Sequence, residues 1–126
     1  HCEDPPCVEN CPTGALAKRD DGIVTLNQDH CVGCKYCTWS CPYGAPQFNP
    51  DERVMGKCDM CADYVDQGKN PSCVDACPMR ALDFGDYDEL LDRHGKPDHV
   101  YPQPDDSITR PSICIRGHPG GIGEQG

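Results

Sequence analysis

The chain has 126 residues, a net charge of −10 and 12 cysteines. Leu, Ile, Val and Phe number only 19, about 15% against the roughly 20% expected of an ordinary core, while 13 Gly and 13 Pro resist long helices and strands. This composition excludes a fold held by side-chain burial alone, and the acidity argues against nucleic acid or an anionic membrane surface as the main partner; no run approaches the 18 or so apolar residues of a membrane span.

In chain order, the first feature is His1-Cys2-Glu3-Asp4 where a Met would open an unprocessed chain, so a processed chain or a fragment is expected; no signal peptide is visible. Cys7-Val8-Glu9-Asn10-Cys11-Pro12-Thr13-Gly14-Ala15 follows. Asp21-Gly22, between Ala15–Lys18 and Ile23–Leu26, reads as the turn of a β-hairpin. A cysteine run then spans residues 31 to 41. Residues 58–67 read as a short helix stopped by Gly68. Arg80 to Phe84 suits a short strand, and Asp86-Tyr87-Asp88-Glu89 reads as a capping box opening a helix through Leu90 and Leu91 to Gly95. From Lys96 onward Pro, Asp and Gly predict an extended surface tail, with Ile113-Cys114-Ile115 as one further edge strand.

The cysteines repeat. Residues 7–15, 37–45 and 73–81 each read C-x3-C-P-x-x-A. The middle run is complete, Cys31-x2-Cys34-x2-Cys37-x3-Cys41-Pro42. The third is stretched, Cys58-x2-Cys61-x11-Cys73-x3-Cys77-Pro78, and the first has Cys2-x4-Cys7-x3-Cys11-Pro12. The middle spacing is that of bacterial [4Fe–4S] ferredoxins: two-residue gaps wrap three thiolates around one cubane, and the fourth cysteine ligates the neighbouring cluster. Such runs work in pairs. Disulfides are the alternative for a cysteine-rich chain, but three thiols on one tight loop are poorly placed to cross-link distant segments. Zinc prefers isolated C-x2-C pairs, and Cys58-x2-Cys61 alone has that form.

His1 to Cys7, Cys34-Lys35-Tyr36-Cys37, Cys41-Pro42-Tyr43-Gly44-Ala45-Pro46-Gln47-Phe48, Lys57-Cys58-Asp59-Met60-Cys61 and Cys73 to Pro78 together resemble the iron–sulfur electron-transfer subunits of molybdopterin oxidoreductases. Ala81-Leu82-Asp83-Phe84-Gly85, with Glu89-Leu90 and His94-Gly95 behind it, narrows the resemblance to the dimethyl sulfoxide reductase B-subunit family, over about residues 1–117. The resemblance implies an α+β fold of ferredoxin-like modules with short hairpins, short helices and few regular elements. It implies a tandem module over residues 1–95, lacking the first cysteine group of the family, and a tail over 96–126. Of four family clusters, one set is complete here: Cys11, Cys31, Cys34 and Cys37. Cys2, Cys7 and Cys41 would hold three corners of a second, Cys58, Cys61 and Cys73 three of a third, and Cys77 would serve the fourth. Such a truncated copy, alone, is expected to hold its clusters poorly.

The implied function is anaerobic respiratory electron transport, from a quinol-oxidising membrane anchor to a catalytic subunit carrying molybdopterin. The chain itself is non-catalytic and peripheral to a bacterial or archaeal cytoplasmic membrane through its partners. Alternatives are the iron–sulfur subunit of a formate dehydrogenase, of a polysulfide, tetrathionate or nitrite reductase or of a hydrogenase, a freestanding ferredoxin, and a cysteine-stapled secreted protein. No serine sits in a triad-like setting and the five histidines show no metal spacing. His1 is expected to pack near a cluster or to donate a hydrogen bond to it, and His94 to lie at a helix C-terminus; His30, His99 and His118 read as solvated. Tyr36, Trp39 and Tyr43 read as packing that shields clusters. Cys114, between two isoleucines, reads as a buried apolar residue.

Overall fold

The structure, a computed structural model, describes residues 1–118. They divide into two units: one is His1–Met60 with Thr109–Pro111, the other the remainder from Cys61. The fold is α+β with few regular elements, as expected.

In the first unit a helix–hairpin motif occurs twice. Helix α1 (Pro6–Glu9) precedes strands β1 (Leu16–Lys18) and β2 (Val24–Leu26); helix α2 (Tyr36–Ser40) precedes β3 (Gln47–Asn49) and β4 (Val54–Gly56). Pro6 occupies the first turn of α1, where its missing N–H costs nothing. Both hairpins are antiparallel, with Leu16 opposite Leu26 in one and Phe48 opposite Met55 in the other. The first turn closes through Gly22 N–H to Arg19 O at 2.9 Å and Ile23 N–H to the Asp21 carboxylate at 3.2 Å. The second hairpin was not anticipated. Its apolar alternation is weak, but the Asn49 side chain accepts N–H bonds from Asp51 (3.0 Å) and Glu52 (3.3 Å), an Asx turn.

Cys7, Leu16, Val24, Cys37 and Met55 form the core of this unit, with Val8, Cys11, Leu26, Cys31 and Phe48 packed at its edge. Two of its five buried members are cysteines, so the apolar seam and the sulfur sites are one structure. The residues at 109–111 belong here: Glu3 N–H donates to Arg110 O at 2.8 Å, Asp4 N–H to Thr109 O at 3.1 Å, and Arg110 holds the Asp4 carboxylate through two nitrogens, at 2.7 and 3.0 Å. That arm was expected to be surface tail. Its pairing segment is Cys2 opposite Pro111, and Ile113–Ile115 is not a strand.

The second unit holds α3 (Ala62–Asp66), α4 (Ser72–Ala76) and α5 (Tyr87–His94). Helix α3 begins four residues later than expected, because Met60 and Cys61 take left-handed φ of 57° and 50° and keep Cys58–Cys61 a loop. It stops where expected: Gly68 N–H donates to Val65 O at 3.0 Å and Lys69 N–H to Tyr64 O at 2.8 Å, a Schellman closure. No strand forms over Arg80–Phe84, since no edge is there to receive it. Helix α5 has the expected limits, but the Asp86 side chain makes no cap hydrogen bond. Acidic residues in its first turn and Arg93 and His94 in its last complement the helix dipole. Arg116 donates to His94 O at 2.9 Å and Asp98 N–H to Ile115 O at 2.8 Å, so residues 114–117 fold back on the end of α5.

Candidate metal centre

The shared ending C-P-x-x-A has a common geometry. Proline after the cysteine cannot donate and turns the chain, and the residue three places after the cysteine takes a left-handed φ: 66° at Gly14, 66° at Gly44 and 51° at Arg80. That turn aims the following amides back at the sulfur. Ala45 N–H donates to Cys41 Sγ at 3.5 Å and Ala81 N–H to Cys77 Sγ at 3.4 Å. Cys11 Sγ lies 3.6 Å from the Thr13 hydroxyl, and the amides of Leu16, Thr13 and Ala15 favour its thiolate. The Ala81 amide, followed by those of Leu82, Met79 and Arg80, holds the Cys77 thiol below its usual range. Burial opposes ionisation of Cys11, but its amide donors and Thr13 outweigh that and leave it lowered too.

Cys7 and Cys37 occupy the second position of α1 and α2 and are buried. Burial pushes both thiols up. Cys7 also feels Lys57, which lowers it, and Cys41, which raises it. Beyond burial, Cys37 is lowered by the Thr38 amide and raised by Cys31 and Cys7. Cys7 of the first run and Cys37 of the second share one buried core, with Cys11 and Cys31 packed against it. Cys31 Sγ accepts from Met55 N–H at 3.3 Å. Cys34 is exposed, in a loop with left-handed backbone at Gly33 and Lys35.

The other sites are more open. Cys2 is half-buried, its carbonyl held by Lys18 Nζ at 2.7 Å. Cys58 is exposed and accepts from Met60 N–H at 3.4 Å. Cys61 lies 3.8 Å from the Ser72 hydroxyl, and Cys73 is exposed on α4. Cys114 is half-buried rather than buried, its thiol 3.7 Å from Gly95 O.

None of the twelve cysteines is joined in a disulfide. Among the described residues no three His, Cys, Asp or Glu side chains converge tightly enough to hold one metal ion. The donor set fits a polynuclear iron–sulfur group instead: soft thiolates, amides aimed at the sulfurs, and an apolar seam beside them.

The structure corrects the aromatic reading. Trp39 is 72% and Tyr36 50% exposed, their rings 5.6 Å apart and tilted by 50°, so these two shield little, while Tyr43 is half-buried. His94 is at the end of α5 as expected, and it also pairs with Asp83 at 2.8 Å. His30, His99 and His118 are exposed. His1 is ordered: Val24 N–H donates to its Nδ1 at 2.9 Å, while its Nε2 is buried with no partner. Lys57 belongs to a segment that carries the family resemblance, but the sequence alone assigned it no role. It is half-buried, and its Nζ donates to the carbonyls of Val24 and Cys58. Burial lowers its pKa, against Cys58, Cys7, Asp59 and Cys2, which raise it.

Residues 1–87 match the family described as 4Fe-4S dicluster domain. The sequence is 53% identical over 116 residues to the B chain of the anaerobic dimethyl sulfoxide reductase of Escherichia coli (strain K12), covering 92% of this protein and 57% of the relative. It is 47% identical over 116 residues to the corresponding B chain of Haemophilus influenzae, with the same shares. The B subunit of the sulfite dehydrogenase of Allochromatium vinosum is 52% identical over 93 residues, 68% of this protein and 39% of that one. The chain thus spans little more than half the length of the curated dimethyl sulfoxide reductase relatives it matches.

Proposed function

Because the chain is a member of the 4Fe-4S dicluster domain family, we propose that it is an electron-transfer subunit of dimethyl sulfoxide reductase type, relaying electrons from a quinol-oxidising membrane anchor to a molybdopterin catalytic subunit. One observation carries this reading: the first two cysteine runs interleave in one core, Cys7 buried with Cys37 and Cys11 and Cys31 packed against them. That interleaving of paired runs is what two-cluster ferredoxin loops require.

In this reading Cys11, Cys31, Cys34 and Cys37 hold one cluster, and Cys2, Cys7 and Cys41 three corners of a second. Cys58, Cys61, Cys73 and Cys77 serve the others of a four-cluster row, by spacing. The tandem module runs over residues 1–95; of the tail over 96–126, residues 109–111 return to the first unit and residues 119–126 lie outside the described residues. A bound [4Fe–4S] cluster supplies storage of one electron at a potential its surroundings tune. The amides of Met55, Ala45 and Ala81 stabilise negative charge on the ligating sulfurs. Leu16, Val24 and Met55 keep water from the inner sites. The chain makes no bond to a substrate; it is the non-catalytic part of the complex. No helix among the described residues is long and apolar enough to cross a membrane, and in this reading the subunit reaches the membrane through its anchor.

A second reading is favoured by the sulfite dehydrogenase relative, at nearly the same identity: the same row carries electrons away from an oxidised substrate. The test is purification of the protein with the partners it assembles with, followed by iron and acid-labile sulfide analysis and EPR on reduction. Iron and sulfide in equal amounts, with reduced-cluster signals and molybdenum in the large partner, are the expected result. A colourless preparation without iron overturns the proposal.

A further inference from the structure

The outer edge of β2 carries two groups whose requirements the protein does not meet. Lys18 and Val24 face each other in the hairpin, while the flanking bond runs from Arg19 N–H to Ile23 O. Val24 is therefore a non-hydrogen-bonded position of the ladder, and its N–H and C=O both point away from β1. The N–H donates to His1 Nδ1 at 2.9 Å, and the C=O accepts from Lys57 Nζ. His1 and Lys57 thus hang from one residue, on the same side of one strand.

Accepting from Val24 leaves Nδ1 without a proton, so His1 Nε2 carries the N–H. That donor is buried with no acceptor among the described residues, an unfavourable state for an N–H. Lys57 is half-buried, and among the described residues no carboxylate comes within ion-pair distance of it. In a chain of net charge −10 this is an ammonium held back from abundant carboxylates. Its Nζ sits on the carbonyl of Val24, which shares the buried core with Cys7, and Cys58, Cys7, Asp59 and Cys2, in that order, favour its charge. Cys2 follows His1 directly, and Lys18 fixes its carbonyl to the same hairpin.

We infer that His1 and Lys57 are a paired donor and cation facing the cluster held by Cys2, Cys7 and Cys41, and that together they raise its reduction potential. The inference rests on the cluster reading proposed above. An anionic cluster supplies both things that are missing, an acceptor for Nε2–H and a counter-charge for Nζ. Adding an electron increases the negative charge on the sulfurs, so both groups bind the reduced form more strongly and favour it. They are positioning residues, ligating no iron.

The test is an EPR-monitored redox titration of the intact complex, with iron and acid-labile sulfide measured on each sample. Lys57→Gln keeps a donor for the two carbonyls and removes the charge. His1→Phe removes the donor. Each is expected to lower the midpoint of one and the same cluster, by about tenfold in its reduction equilibrium, or about 59 mV for one electron, with other midpoints unchanged. Lys57→Arg is expected to stay near the parent value. If a variant loses that cluster, His1→Gln and Lys57→Arg must retain it. Unchanged midpoints at full iron content, or shifts in two different clusters, overturn the inference. A parent complex without iron and sulfide overturns the cluster reading itself.

Discussion

The two units carry the same cysteine chemistry on unequal apolar support. In the first, Cys7 and Cys37 are buried with Leu16, Val24 and Met55, and two hairpins close around them. In the second, Ala62 is the one buried hydrophobic core residue among those described, while Met79 is 83% and Leu82 50% exposed. Cys73 is exposed, and the second unit has no sheet among its described residues. The first unit therefore has local reasons to keep its shape: a packed seam, ladder bonds, and a return arm tied by Arg110 to Asp4. The second relies on the backbone closure of α3 and on exposed ion pairs, which contribute little each. Where side chains cannot supply a core, metal binding becomes the folding energy.

Removing iron is the largest perturbation of this contrast. Chelation of the holo-protein is expected to release the amides of α3, α4 and α5 to fast hydrogen exchange while β1 and β2 stay protected; equal loss in both units would abolish the distinction. Core truncation comes next. Met55 is 1% exposed, and Met55→Ala should cost about 2–5 kcal/mol in denaturant unfolding. Leu82→Ala, at a half-exposed site, should stay within about 0.5 kcal/mol. A similar cost at both sites would show that the second unit has support these contacts do not reveal.

The repeat made the first unit legible. Cysteine spacing pointed to the two runs, and Asp21-Gly22 marked the first hairpin. The second hairpin lies at the same offset after Cys41-Pro42 as the first does after Cys11-Pro12, to within a residue, so the repeat itself contained the signal that Gln47–Gly56 lacks in apolar alternation. Elements in the second unit were read from local propensity, and propensity mistook Arg80–Phe84 for a strand, because a strand needs an edge that no local pattern reports. Long-range links were equally invisible: Asp4 to Arg110 spans most of the chain, and the open edge at Val24 that seats His1 and Lys57 exists only once β1 and β2 are paired.

The third repeat offers a finer test, because Arg80 stands where the first two carry Gly14 and Gly44. Its φ of 51° is left-handed, a conformation costing a non-glycine residue about 1–2 kcal/mol. Arg80→Gly should stabilise the second unit by about 1 kcal/mol, less the entropy glycine adds to the unfolded chain. Gly44→Ala should destabilise the first by a comparable amount. Thermal unfolding of the two variants in opposite directions would tie the shared turn to both units.

The smallest effect lies at α5. His94, then the Phe84 amide, hold the Asp83 carboxyl below its ordinary range, with Arg93 at 3.1 Å adding to this. A lowered carboxyl contributes stability that is fully present above its unfolded value, about pH 4, and is lost as pH falls through the lower native value. The carboxylate is exposed, so water and salt screen the pair. Acidification from about pH 5 to about pH 2 should therefore loosen the contact of α5 with Asp83 before any change in the first unit. Hydrogen exchange at Phe84 N–H, which donates to Asp83 at 2.8 Å, reads this directly. Asp83→Asn should remove the pH dependence there and leave that of the hairpins intact; an unchanged titration in that variant would place the responsible charge elsewhere.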